Sequence, residues 1–167
     1  MSPSGSATTA DVKDYWNRHI HDLEITRHPV GSPGFFADLD EYHFEKLHHL
    51  LRLVDFDGYR GKQVLEVGCG AGTDLVRFAK GGAHVTGVDL VAHDGVKERV
   101  DRFVEADLEH GVPPDVGGSF DVVLAADVLE HVRSPGQILE QVRPLLAPGG
   151  SLVVSVPNFG HWYPRVR

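Results

Sequence analysis

A glycine-rich turn carries the strongest chemical signal in this sequence. Residues 64–75 read Val-Leu-Glu-Val-Gly-Cys-Gly-Ala-Gly-Thr-Asp-Leu, a pattern typical of a buried strand, a tight turn and the start of a helix. Because they lack side chains, Gly68, Gly70 and Gly72 let the backbone approach a ligand closely and adopt angles closed to other residues. Taken alone, such a turn indicates either a nucleotide-like ligand or a purely structural bend.

The spacing of the glycines separates two kinds of nucleotide ligand. A dinucleotide fingerprint requires glycine at the third position after Gly70, and Thr73 occupies that position. Glu66 also places a carboxylate at the end of the first predicted strand, where it would repel a pyrophosphate and attract a cationic group. A nicotinamide-dependent oxidoreductase is therefore only a weak alternative.

Two further acidic residues stand where predicted strands end. Asp89 comes seventeen residues after Gly72, and its carboxylate could accept two hydrogen bonds from a ribose diol. The alternative is a helix N-cap or an ordinary loop acid. Asp107 could accept from an adenine amino group while Leu108 packs on the ring, although a solvated turn would show the same residues.

These residues need a parallel sheet to bring them together. From residue 62 onward, short β-branched runs alternate with helical patterns, which predicts βαβ units and a doubly wound, mainly parallel α/β sheet of about five strands. The predicted strands cover residues 63–67, 84–89, 102–105, 120–125 and 151–156. The predicted helices cover about 73–80, 94–100 and 134–145, and residues 109–118 form a connecting loop. Ligands of such sheets bind beyond the carboxyl ends of the strands, where the glycine turn lies.

The chain divides into three predicted parts. Residues 1–8 are small and polar and are expected to be disordered. Residues 9–59 are expected to form a helical cap, with amphipathic helices at about 10–24 and 36–54. Residues 60–167 are expected to form the core. Tyr15 and Trp16 could close over a small substrate as part of a lid, or could simply dock their helix on the core.

Composition excludes several classes of protein. The 167 residues include 16 basic and 24 acidic ones, and a formal charge of −8 disfavours nucleic acid and anionic membranes as partners. No apolar run approaches the roughly 18 residues that span a bilayer. The single cysteine, Cys69, excludes an internal disulfide, and a cytoplasmic location is expected. His19 and His21 would lie about 200° apart on a helix, so no metal site is expected.

Five weak motifs in one order identify a family resemblance. They are residues 66–72, Asp89, Asp107 with Leu108, residues 120–132, and residues 146–154. Over about residues 60–160 the chain resembles the class I S-adenosylmethionine-dependent methyltransferases, and residues 156–162 resemble their bacterial small-molecule branch. The resemblance implies S-adenosylmethionine as cofactor and a small molecule as methyl acceptor.

The resemblance also implies a role for each residue. The turn of Gly68, Gly70 and Gly72 would pass under the methionine part of the cofactor, whose ammonium group Glu66 and the backbone near Ala125 would receive. The ribose would be held by Asp89, with Leu90 beside it, and the adenine by Asp107 and Leu108. Cys69 would be a small filler of the turn.

Methyl transfer requires few reactive side chains, because the protein mainly aligns the acceptor and excludes water. If the acceptor is protonated, a base helps, and His131 just beyond the fourth strand is the candidate. The alternative is that His131 caps or packs the following helix. Tyr15, Trp16 and His161 are the candidate residues on the acceptor side.

The resemblance stops before the usual end of the family's sheet. Members usually continue with another helix and two strands. The fifth strand of this chain is therefore expected to be an apolar edge that recruits a partner or a second copy, in the latter case as a homodimer. A truncated chain is the other explanation. A non-catalytic S-adenosylmethionine-binding module, incomplete without a partner or a missing segment, is therefore the alternative to an enzyme.

Overall fold

The computed structural model describes residues 14–15, 25–48 and 50–157 of the chain. Five strands form one sheet in the order β3-β2-β1-β4-β5, and every neighbouring pair is parallel. The strands are β1 (Gln63–Val67), β2 (His84–Asp89), β3 (Arg102–Glu105), β4 (Phe120–Ala126) and β5 (Leu146–Ser155). The predicted parallel α/β sheet is confirmed.

Four α-helices accompany the sheet within the described residues. They are α1 (Pro33–Lys46), α2 (Leu50–Leu53), α3 (Thr73–Lys80) and α4 (Pro135–Val142). Short 3₁₀ helices lie at Phe56–Tyr59, Leu108–His110, Pro114–Val116, Leu129–His131 and Arg143–Leu145. The predicted single helix at 36–54 is therefore two helices. Of the predicted helix at 10–24, the structure describes only Asp14 and Tyr15, which are helical. Residues 1–8 lie outside the described part.

Alternating side chains of the strands build a core on each face of the sheet. In β1, Leu65 and Val67 belong to the cluster that packs against α4, whereas Val64 belongs to the cluster that packs against α3. Because side chains along a strand point to opposite faces in turn, Glu66 lies on the same face as Val64. The site acid of β1 is thus directed toward the α3 side of the sheet.

One predicted helix and one predicted strand boundary are wrong, and in each case a glycine with positive φ lies in the segment. Residues 94–100 form turns and bends rather than a helix, and Gly95 within them has φ +79°, with the Gly31 carbonyl oxygen 2.7 Å from where a Cβ would lie. The strand β5 begins at Leu146 rather than at residue 151. A register shift between the β4–β5 pairs, with Gly149 at φ +79°, interrupts this strand, so its first half resembles a turn in sequence.

Candidate functional site

The glycine turn connects β1 to α3 at the carboxyl end of the sheet. Gly68, Gly70 and Gly72 have φ values of +75°, +51° and +72°, all in the left-handed region that favours glycine. The backbone N–H groups of Gly68 and Cys69 donate to the carbonyl oxygen of Val88 in β2, at 2.7 and 3.1 Å. The bend is therefore anchored to the neighbouring strand. We refer to residues 68–72 as the glycine bend.

Gly68 and Gly70 differ in what surrounds them. A Cβ added at Gly68 would lie 2.3 Å from Cγ2 of Val128, which follows β4, so close packing excludes a side chain there. A Cβ added at Gly70 would have no atom within 4 Å. Gly70 thus faces open space at the end of the sheet where ligands of this architecture bind.

Asp89 lies directly beside the glycine bend. Its Oδ2 accepts a hydrogen bond from the backbone N–H of Gly70 at 2.8 Å, and its Oδ1 accepts one from Val91 at 3.2 Å. Since a carboxylate has about four acceptor positions, two remain for a ligand diol. The structure thus brings together the predicted ribose acid and the bend. Leu90, which lies between Asp89 and Val91 in the sequence, is partly exposed.

Glu66 is a buried acid behind the same bend. Its side chain is 4% exposed, and its Oε2 has no hydrogen-bond partner among the described residues. Burial raises the pKa of Glu66 well above its usual range, and the negative charges of Asp74 and Asp89 raise it further. Burial without a protein partner for Oε2 therefore favours the protonated, uncharged form of this carboxyl group.

Cys69 fills the bend as an uncharged thiol. It is buried, and its Sγ would lie 2.7 Å from a Cβ added at Gly87 of β2. Burial raises the pKa of the Cys69 thiol, and the neighbouring carboxyl groups of Glu66 and Asp89 raise it further. Because the thiolate is the nucleophile, this environment suits a packing role rather than a reactive one.

The predicted adenine residues follow β3. Asp107 accepts from the backbone N–H of Glu109 through Oδ1 at 2.9 Å, and its Oδ2 lies 3.3 Å from Nδ1 of His110. Leu108 is buried in the core cluster on the α4 face. Ala106 donates to the Asp89 carbonyl oxygen at 2.8 Å, which ties this segment to the end of β2.

The end of β4 carries residues that the sequence analysis used and one that it missed. Ala125 is 1% exposed, and His131 ends a 3₁₀ helix with its side chain 48% exposed. Among the described residues, Asp127 is the only non-glycine with positive φ, at +48°. Its backbone N–H donates to the Ser155 carbonyl oxygen, and Ser155 Oγ donates to its Oδ1 at 3.0 Å. Such strained positions concentrate at functional sites.

The helix α1 packs directly on the glycine bend. A cluster of Phe35, Phe36 and Leu39 contacts Ala71 of the bend. From the same helix, His43 Nε2 lies 3.1 Å from Asp74 Oδ1 at the start of α3. The sequence analysis missed both His43 and Asp74, because nothing in their spacing links two residues that are 31 positions apart.

Arg99 makes a second set of contacts that holds α1 in place. Its guanidinium lies 2.6 Å from Asp40 Oδ1 and 4.0 Å from the centre of the Phe36 ring. This combination of an ion pair and a cation–π contact joins α1 to the segment after β2. The segment that contains α1 is therefore held against the glycine bend and against the segment that follows β2.

The predicted acceptor residues are only partly described. Tyr15 is 52% exposed, whereas Trp16 and His161 lie outside the described residues. Within residues 14–15, 25–48 and 50–157, no three histidine, cysteine, aspartate or glutamate side chains are grouped to hold a metal ion. No described helix is long and apolar enough to cross a membrane.

Solved structures with this fold include several methyltransferases. The N-methyltransferase NodS of Bradyrhizobium japonicum WM9, in complex with S-adenosyl-L-homocysteine, is 20% identical with a TM-score of 0.59, over 89% of this chain and 72% of that one. Magnesium protoporphyrin IX methyltransferase of Synechocystis PCC 6803, with bound S-adenosylmethionine, is 21% identical with a TM-score of 0.56, over 87% and 74%. These similarities confirm the Rossmann-like fold.

Relatives with closer sequences share one name. The ubiquinone biosynthesis O-methyltransferase of Marinobacter nauticus is 37% identical over 158 residues, which cover 85% of this chain and 65% of the relative. The enzyme of that name from Caulobacter sp. strain K31 is 36% identical over 108 residues, covering 60% and 42%. The chain thus spans less than two thirds of the length of these relatives.

A family profile matches most of the chain. The family is described as a methyltransferase domain, and the match covers residues 39–165, including β1 to β5 and the glycine bend. The match confirms the resemblance predicted from the five motifs, and this chain belongs to the methyltransferase-domain family.

Proposed function

We propose that this chain binds S-adenosylmethionine at the glycine bend and transfers its methyl group to a hydroxyl oxygen of a small molecule. The observation that carries the proposal is the contact between Asp89 and Gly70, because a carboxylate with acceptor positions left for a diol lies beside the open face of the bend. The names of the relatives support oxygen as the acceptor atom.

The residues of the site fit the proposed cofactor. Asp89 offers its remaining acceptor positions to the ribose hydroxyls, and Gly70 leaves room for the methionine part. The buried Oε2 of Glu66, which has no partner among the described residues, would accept from the ammonium group. We further propose that Asp107, Leu108 and Ala125 complete the site, as the family resemblance implies.

The proposal can be tested with the purified chain and two ligands. Calorimetric titration with S-adenosylhomocysteine should show one binding site, and methyl transfer from labelled S-adenosylmethionine should be followed on a panel of phenols and catechols. Absence of binding would contradict the proposal. Binding without transfer to any acceptor would favour the alternative, a cofactor-binding module.

We propose that His131 is the general base of the reaction. S-adenosylmethionine, held by Asp89, Glu66 and the glycine bend, would supply a methyl group that its positively charged sulfur activates. The imidazole of His131, which is half-exposed at the carboxyl end of the sheet, would take the hydroxyl proton. His131→Gln should lower kcat about 100-fold or more and leave S-adenosylhomocysteine affinity unchanged. Unchanged turnover would remove His131 from the mechanism.

The segment around α1 is proposed as a cap over the site. Its apolar cluster on Ala71 and the contact of His43 with Asp74 support that role. Tyr15, Trp16 and His161 stay predictions for the acceptor side, and the cytoplasmic location stays a prediction as well. The boundaries of the cap, at residues 9 and 59, also stay predictions.

We propose that β5 pairs with a second copy of this chain. Within the described residues the strand lies at an edge of the sheet, and Val153 and Val154 of the strand and Val156 just after it are 42%, 44% and 55% exposed. Exposed apolar edges recruit other strands. Size-exclusion chromatography should give a dimer, and Val154→Lys should shift it toward monomer. A stable monomer at all concentrations would contradict this arrangement.

A further inference from the structure

Glu66 combines complete burial with an unsatisfied acceptor. Its side chain is 4% exposed, and Oε2 has no hydrogen-bond partner among the residues that the structure describes. An ionised carboxylate left in this state would lose its hydration without compensation, which is among the most unfavourable arrangements in proteins. A charged Glu66 is therefore unfavourable unless a positively charged group pairs with it.

The groups around Glu66 make its charge still less favourable. Asp74 at the start of α3 and Asp89 at the end of β2 both act on it as like charges. The thiol of Cys69 in the bend is uncharged, since burial raises its pKa. His43 of α1 contacts Asp74 and not Glu66.

The histidine that follows β2 supplies little positive charge to the cluster. Burial is the main influence on the pKa of His93 and lowers it, against the opposing effects of Asp89 and Asp94. His93 is therefore uncharged at neutral pH. Burial, together with the negative charges of Asp74 and Asp89, thus favours the protonated form of Glu66.

We propose that Glu66 holds a proton while the pocket is empty and releases it when a ligand ammonium group enters, which makes Glu66 the residue that selects ligands by charge. This inference rests on the proposed function. The O–H bond of the carboxylic acid breaks, the proton passes to solvent, and the resulting carboxylate pairs with the ammonium group. One proton leaves for each ligand bound.

Two ligands separate this idea from simple binding. S-adenosylhomocysteine carries an ammonium group, whereas 5′-methylthioadenosine has the same adenosine and a thioether but no amino-acid part. Both can use Asp89 and the open face of Gly70. Only the first can replace the proton of Glu66, so only its affinity should rise with pH, by up to about tenfold per unit, until Glu66 ionises in the free pocket.

Calorimetry in buffers of different ionisation enthalpy, at several pH values from 5 to 8, measures the released protons directly. With S-adenosylhomocysteine we expect a maximum release close to one proton, which declines as the pH rises. With 5′-methylthioadenosine we expect a release near zero. S-adenosylhomocysteine binding without proton release at any pH would overturn the inference and leave the proposed function intact, whereas no binding of either ligand would overturn both.

The variant Glu66→Gln provides a second readout. It should bind S-adenosylhomocysteine more weakly and with no proton release. The folded chain retains a proton on Glu66 that the unfolded chain loses above about pH 4.3, so wild-type stability falls as the pH rises toward the raised pKa. The melting temperature of Glu66→Gln should therefore exceed that of the wild type by a margin that grows from pH 5 to pH 8. A margin independent of pH would indicate a packing role only and overturn the inference.

Discussion

Replacing Gly70 by alanine should leave the fold intact and lower the affinity for S-adenosylhomocysteine at least about 100-fold, a free-energy difference of about 2.7 kcal/mol. The added methyl group meets no atom of the protein within 4 Å, so it clashes with no other group of the chain. It would instead occupy the open space beside Asp89 that we assign to the ligand. Calorimetric titration of the variant measures the effect.

The backbone strain of this substitution has a matched control. Gly61 also has a left-handed φ, +71°, and a Cβ added there also meets no atom within 4 Å, but it precedes β1 at the opposite end of the sheet. Both alanine variants should lose about 1–2 kcal/mol of stability. Only Gly70→Ala should lose affinity. Equal affinities for the two variants would place the ligand elsewhere.

The same comparison extends to the first glycine of the bend. A Cβ at Gly68 would lie 2.3 Å from Val128, so alanine there must displace the segment that follows β4. Gly68 is thus required by packing, whereas for Gly70 we propose that the ligand requires glycine. Two residues that look equivalent in the sequence have different physical reasons for being glycine.

Asp89→Ala should weaken S-adenosylhomocysteine binding at least about 150-fold, measured by the same titration. The variant loses two charge-assisted hydrogen bonds to the ribose, each of which contributes about 1.5–3 kcal/mol. It also removes the acceptor of the Gly70 N–H, which holds the bend in place. Asp89→Asn keeps one carbonyl acceptor and should therefore fall between the wild type and Asp89→Ala.

Asp121 offers the control for Asp89. Its carboxylate at the start of β4 accepts from the backbone N–H of Gln63 at 2.9 Å and from Lys62 at 3.1 Å, and these hydrogen bonds lower its pKa. Asp121→Ala also removes an acid that binds a strand backbone, but at the opposite end of the sheet. It should reduce stability and leave affinity unchanged. A loss of affinity as large as that of Asp89→Ala would indicate a global effect.

The fold was largely predictable because its strands are short, β-branched and bounded by polar residues. The predicted bounds of β1, β2 and β3 agree with the structure. The errors lie where one glycine sets the backbone. Gly95 at φ +79° prevents a helix in a segment with a helical pattern, and the irregularity at Gly149 hides the first half of β5. Sequence patterns report side-chain periodicity and not these single torsion angles.

The candidate site was predictable where an acid ends a strand. Glu66 and Asp89 lie at such positions, and parallel pairing brings them to one edge of the sheet. The strained backbone of Asp127 has no sequence signature, because any residue type can follow a strand. The contact of His43 with Asp74 depends on how α1 packs, which local periodicity does not report.

The packing of α1 on Ala71 has a consequence for how this chain can change in evolution. Ala71 of the bend packs against the cluster of Phe35, Phe36 and Leu39. A bulkier residue at position 71 would push the helix away unless one of these three became smaller in the same lineage. Substitutions in the bend and in the helix are therefore coupled, and drift at either segment is constrained by the other.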